Sequence, residues 1–343
     1  LMRNYSIRGL LVEPGLVLSP MSGVTHAPFR RLIKELNPGG VGMVISEFIS
    51  IEGLTRGSVK SAAMMDFHEE ERPYGIQIFG FDIDRMCQAA RMVEDRGADL
   101  IDINCGCPAP KVVKRGGGCE LMRQPDHLKK LVRSVRASVS IPLTVKFRSG
   151  WSEDSINALE IGKMLEGEGV DAITVHGRTR SQLYRGSADW DIVRRLAETV
   201  SIPVCGSGDV VNHSTAKERW ESGAAGLFIG RAALSNPYVF REIQSGSDES
   251  LLGHSVMRDR AVSAGEIVKI LVRYTQLLGE HFEPRGCVGP LKQLASQVGK
   301  GQSWVRELCR CNKLEEQAGI LQRTADELAV ETSVDRIGIA LVA

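Results

Sequence analysis

The 343-residue sequence has almost no net charge, few aromatic residues and no long apolar run. Lys and Arg (43) nearly balance Asp and Glu (42), leaving +1. No global field therefore draws the chain to nucleic acid or to a membrane, and any polyanion has to meet a local patch. No apolar stretch approaches the ~18 residues of a membrane-spanning helix. The eight cysteines are scattered and follow no signal peptide, which points to reduced thiols in a cytoplasmic protein. Cys105 and Cys107 lack a second ligand pair at zinc-site spacing, and Cys309 with Cys311 falls in a helical stretch, so no metal is expected. A dinucleotide fingerprint is missing too: GSGDVV (206–211) carries Val211 where the third glycine belongs. Leu1 precedes Met2.

What is present is a rhythm. Short β-prone runs at 16–20, 41–46, 74–79, 99–104, 141–147, 171–176, 202–206 and 225–230 alternate with amphipathic stretches. The helical stretches are expected after Thr25, over 51–65 and 82–96, and from Pro125, Glu153, Ala188, Asn212 and Asn236. About eight such units in roughly 230 residues are the count and length of a (β/α)₈ TIM barrel, an α/β fold, with a doubly wound sheet as the alternative. The polar stretch 245–258 reads as a linker. Residues 259–330 show helical spacing and little β signal, which predicts a small all-helical domain, followed by a tail over 331–343. The barrel domain is thus expected over 1–244.

In a barrel the strand ends converge on one mouth, so Ser19, Gln77, Cys107, Lys146, His176, Gly208 and Gly230 are expected there. The stretch DLIDINCGCPAPKVVKRGGG (99–118) puts Cys107 between a glycine and a proline at a strand end, the setting of a reactive thiol, while Cys105 reads as packing. Gly116 to Gly118 read as a mobile segment of the Cys107 loop. Lys146 on an inward position is costly to bury without an anionic partner, which argues for a ligand or, as in barrel aldolases, a Schiff base. His176 reads as a ligand contact. The glycine-rich ends of strands seven and eight, GSGDV (206–210) and IGRAAL (229–234), suit a phosphate cradle to which Arg231 adds charge, and a flavin mononucleotide is the usual guest of that kind.

The motifs SPMSGVTHAPFR (19–30), QIFG (77–80), DINCGCPAPKV (102–112), VKFRSGW (145–151), TVHGRTR (174–180) and IGRAALSNPYVFREI (229–243) together resemble the tRNA-dihydrouridine synthases, FMN-dependent enzymes of bacterial type. The resemblance implies an FMN barrel with a helical tRNA-gripping domain, and reduction of a tRNA uridine with NADPH or NADH as transient donor. It implies flavin contacts at Pro20, Met21, Ser22, Gln77, Lys146, His176, Ser207, Gly208, Asp209, Gly230 and Arg231. It further implies hydride transfer to C6 of uracil and a proton donor to C5 at Cys107. Substrate contacts are expected from Asn104, Lys114, Arg115, Arg178, Arg180 and Lys292, with Lys111, Arg185, Arg306, Arg310 and Lys313 adding local positive charge.

Three positions depart from the family pattern. Ser207 stands for an asparagine, His26 for an aspartate, and Cys105 for a larger apolar residue or a glycine. A monomer is expected, without membrane association. Competing readings are another FMN barrel acting on a free pyrimidine or an enone, and a non-catalytic flavin- or RNA-binding protein.

Overall fold

The computed structural model describes residues 3–246, 248 and 260–332. Among the described residues eleven strands form: β1 (Tyr5–Ile7), β2 (Leu10–Val12), β3 (Leu16–Leu18), β4 (Met43–Ile45), β5 (Ile49–Ser50), β6 (Tyr74–Phe79), β7 (Leu100–Cys105), β8 (Leu143–Arg148), β9 (Ala172–His176), β10 (Val204–Ser207) and β11 (Gly226–Ile229). The parallel order β4-β3-β11-β10-β9-β8-β7-β6 is closed by pairing of β4 with β6, giving the expected eight-stranded barrel. Strand β5 adds a short pairing to the end of β6, and β1 with β2 makes a separate antiparallel hairpin.

Alternation along each strand separates the two faces. In β7, Ile101 and Ile103 join the main core under the surrounding helices, whereas Leu100 turns inward to a second apolar cluster. That cluster, with Tyr5, Ile7 and Val12 of the hairpin, Val17, Met43, Ile45, Ala172, Cys205 and Phe228, plugs the N-terminal end of the barrel. Each large apolar side chain removed from water there contributes ~1.5–3 kcal/mol. The hairpin lay outside the strand rhythm of the sequence, because three-residue strands are too short to show a period.

Several helices start at a recognisable cap or proline. Asp82 accepts the Arg85 N–H (2.8 Å) ahead of Ile83–Asp95, Pro125 opens Pro125–Ser138, and Asn212 accepts the Thr215 N–H (3.0 Å) ahead of His213–Trp220. The single helix expected over 51–65 is instead two, Ile51–Thr55 and Val59–Ala63. Gly57 (φ +71°) turns the chain between them, and Ser58 caps the second one.

Beyond the barrel, helices Arg260–His281, Pro284–Val298, Ser303–Arg310 and Leu314–Thr332 pack together. The expected linker lies largely outside the described residues, as does the tail after Thr332; the last helix runs two residues past the expected boundary at 330. The bundle docks on the barrel through Arg260–His281 against Ala27–Leu36, with Arg273 bidentate on Glu35 (2.7 Å for both contacts) and Arg31 on Glu280 (2.6 Å). Pro284–Val298 packs on Arg231–Ser235, the short helix that follows β11, so the bundle reaches the edge of the barrel mouth. Among the described residues no helix is long and apolar enough to cross a membrane.

Candidate active site

The inward positions near the strand ends are polar in three adjacent strands: Asp102 and Asn104 in β7, Thr144 and Lys146 in β8, Thr174 and His176 in β9. This period of two inside otherwise apolar runs was present in the sequence and pointed to Asp102 and Thr144, which the motif reading passed over.

Asn104, 7% exposed, donates from Nδ2 to Gln77 Oε1 (2.7 Å) and accepts the N–H groups of Gly106 (3.1 Å) and Cys107 (2.9 Å) on its Oδ1. The turn carrying Cys107 is therefore tied to the strand beneath it. It is held as well by the Gly106 carbonyl, which accepts from Arg148 Nε at 3.0 Å, and by the Cys107 carbonyl, which accepts the Cys119 N–H at 3.1 Å. The three glycines expected to be mobile are packed here. A Cβ on Gly118 would meet the Cys107 carbonyl oxygen at 2.5 Å, and one on Gly116 would meet the Phe81 ring at 2.6 Å. Burial pushes the Cys107 thiol above its ordinary range, opposed by the Ala109 backbone, Arg148 and Lys146, so the thiol is protonated at neutral pH. Cys105 is fully buried in the core, as packing requires.

Lys146 faces the same space. Burial, then the neighbouring Arg148, lower its ammonium to about 8, with Asp102 acting the other way. A cation held in this way gains from an anionic or electron-rich ligand. His176 is pushed well down by burial and by the surrounding cations Lys146, Arg148, Arg178 and Arg231, and so is neutral. Its Nδ1 lies 3.4 Å from Ser207 Oγ, so the serine that replaces an asparagine contacts the histidine.

At the other side of the mouth, Gly208 (φ +120°) leaves no room for a side chain: a Cβ would meet Ala188 at 2.6 Å. Gly230 lies close to Met21 and Ser19, where a Cβ would meet the Met21 sulfur at 3.4 Å. Bare backbone at two strand ends, beside the exposed Arg231, is a surface that a phosphate fits. Pro20 and Met21 are half-buried along the first loop and Ser22 is exposed. The Asp209 carboxylate is engaged by Arg178 (2.8 and 2.9 Å), by the Ala188 N–H (2.7 Å) and, at 3.7 Å, by Arg231.

The same pairing corrects the reading of Arg178. It is 2% exposed, donates also to the carbonyls of Arg185 and Gly186, and belongs to the framework rather than to a surface patch. Lys114 and Arg115 are exposed beside the Cys107 loop. Arg180 and Arg123 both lie over the Trp151 ring (4.8 and 4.5 Å to its centroid), and Lys292 reaches Asn312 at 3.1 Å on the bundle. Among the described residues no group of three or more His, Cys, Asp or Glu is placed to hold a metal ion.

The chain is similar to known proteins over most of its length. The family model described as dihydrouridine synthase (Dus) matches residues 17–331. The tRNA-dihydrouridine synthase B of Yersinia pestis is 41% identical over 78% of this chain and 81% of its own length. That of Pseudomonas syringae pv. tomato is 38% identical over 78% and 77%. Among solved structures, that of DHODH in complex with ferulenol from Eimeria tenella has a TM-score of 0.53 over 71% of this chain and 82% of its own, at 14% identity, a likeness of fold alone. With a family match spanning nearly the whole chain, and with relatives at this identity over most of it, the chain belongs to the dihydrouridine synthase family.

Proposed function

We propose that the protein reduces a uridine of tRNA to 5,6-dihydrouridine, with FMN as resident cofactor, NADPH or NADH as electron donor and Cys107 as the proton donor. The observation that carries this reading is a thiol kept protonated by burial and tied by its backbone to Asn104, at a mouth it shares with a buried lysine. FMN, when bound, supplies the hydride that reaches C6 of uracil.

The chain's own groups do the rest. Cys107 gives its proton to C5 as that carbon gains carbanion character, a step for which a protonated thiol is suited at neutral pH. Lys146 stabilises negative charge on the electron-rich ring system, and neutral His176 offers a hydrogen bond rather than a charge. The backbones of Ser207, Gly208, Asp209 and Gly230, with the Arg231 guanidinium, hold the phosphate; Pro20, Met21 and Ser22 line the ring, while Gln77, fully buried and engaged by Asp102 and Asn104, lies beneath it as support. A uracil within folded tRNA must leave its stack to reach the mouth, at a cost of a few kcal/mol. Lys114, Arg115, Arg180 and Lys292 offset that cost by gripping the backbone, and the bundle at the edge of the mouth widens the contact.

Two measurements test the reading. Purified protein shows a flavin absorption spectrum, or gains one on addition of FMN. tRNA from cells lacking the protein loses one dihydrouridine position by mass spectrometric mapping, and the purified enzyme restores it. Protein that never takes up FMN, or that reduces a free pyrimidine and leaves tRNA untouched, overturns it.

A further inference from the structure

Asp102 lies one inward position below Asn104, fully buried, and has no role in the chemistry described above. It begins a hydrogen-bond chain with a single direction. Its Oδ2 accepts from Gln77 Nε2 (2.5 Å) and its Oδ1 from Thr144 Oγ1 (2.6 Å). Gln77, with its amino group turned to Asp102, presents Oε1 to Asn104 Nδ2 (2.7 Å). Asn104 is then left with Oδ1 for the N–H groups of Gly106 and Cys107.

Chemistry fixes that direction at both ends. An ionised carboxylate only accepts, whereas a side-chain amide has one accepting and one donating end. A carboxylate at the base therefore makes Gln77 donate to it, makes Asn104 donate to Gln77 and turns the Asn104 oxygen to the loop. Read from the loop the answer is the same, since two backbone N–H groups require an oxygen. A hydroxyl at the base would impose no direction, because it can donate or accept. Burying a carboxylate also raises its affinity for a proton, against which the Thr144 and Gln77 donors and Lys146 act. A group that costly to bury, placed where an apolar residue would satisfy the fold, points to a specific task.

We infer that Asp102 is a positioning residue for the proton donor: through Gln77 and Asn104 it holds the backbone beneath Cys107 in the one orientation that aims the thiol into the mouth. The kinetic consequence rests on the proposed function. The geometric consequence does not.

The experiment compares Asp102→Leu with Asp102→Asn. Asparagine can keep its oxygen on Gln77 and turn its amino group to the Thr144 hydroxyl, which itself lies 3.4 Å from the Ile101 carbonyl as an alternative acceptor. The chain of bonds survives in Asp102→Asn and is cut in Asp102→Leu. In the holoenzyme, Asp102→Leu is expected to slow uridine reduction up to about 100-fold, the scale of a small misplacement of a reacting group. Both variants remove the negative charge beside Lys146, so any change in flavin reduction by NADPH is the same in the two, whereas Asp102→Asn recovers most of the loss in uridine reduction.

In protein without flavin, alkylation of Cys107 by iodoacetamide, mapped by mass spectrometry, changes several-fold in Asp102→Leu and little in Asp102→Asn. This readout stands even if uridine is not the substrate. Should the leucine variant fail to fold, Asp102→Ser, too short to reach Gln77, takes its place. An unchanged alkylation rate, or a loss of uridine reduction that is equal in the two variants, overturns the inference.

Discussion

At the N-terminal end of the barrel, Tyr5, Ile7 and Val12 plug the interior among Val17, Leu100, Ala172 and Phe228; two to four residues further along β7 and β9 the interior holds Asp102, Asn104 and His176, with Thr144 and Lys146 of β8 between them. The backbone is the same at both ends, and the difference lies in what each end must satisfy. The floor gains from excluding water and needs no direction, so it is filled by shape alone. At the mouth every polar group needs a partner, and the groups left over are those that face a ligand. Gln77, Asp102 and Asn104 are satisfied by one another. Lys146 and His176 carry the strained proton affinities.

That comparison can be broken at either end. The largest effect is expected from Cys107→Ala: uridine reduction falls by about 10²- to 10⁴-fold, the range for loss of a general acid, while flavin reduction by NADPH is unchanged in stopped-flow absorbance. Phe228→Ala attacks the floor instead. Urea unfolding is expected to show a loss of ~3–5 kcal/mol, with turnover per folded molecule preserved.

Gly208→Ala probes the phosphate side. The forced conformation and the clash with Ala188 cost ~1–3 kcal/mol, read as weaker FMN binding in a fluorescence titration.

His26 sharpens the contrast in another way, since it is a buried polar group used for docking. Its ring stacks on Tyr274 and its Nε2 lies 3.2 Å from the Tyr274 hydroxyl of the bundle. Burial, then Arg30 and His281, lower it to about 3 from 6.5. The unfolded chain therefore takes up the proton first. The stability this group contributes is complete above pH 6.5 and is lost as pH falls toward 3. By pH 5 about 2 kcal/mol is gone, and His26→Phe is expected to flatten that part of the urea-unfolding pH profile. The smallest effect belongs to the surface: Lys114→Ala and Arg115→Ala each make the dependence of log K for tRNA on log salt shallower by roughly 1 or less, with no change in stability.

Much of this was legible in the sequence, and the reasons differ by element. The span of β6 reads directly from YGIQIF (74–79), since a buried parallel strand is a continuous apolar run bounded by turns. Cys107, Lys146 and His176 could be placed at one mouth because a barrel sends every strand end there. The hairpin Tyr5–Val12 could not be found, because its strands have no period and its value lies in plugging a barrel that does not yet exist in one dimension. Arg178 was misjudged for a related reason. A run such as HGRTR (176–180) looks uniformly basic, yet folding delivers Asp209 to one arginine and Trp151 to the other.

The sequence by itself determined the barrel, the order of its strands and the residue types at its mouth, since alternation, caps and turn residues are local properties of the chain. Only the tertiary structure decided which polar groups are used up and which remain free. Asp102, Gln77 and Asn104 come from two strands whose hydrogen-bonded atoms are 25 and 27 positions apart. Whether an amide donates or accepts is settled by the neighbour that folding brings to it, and here that neighbour turns an asparagine's oxygen toward the backbone of the cysteine.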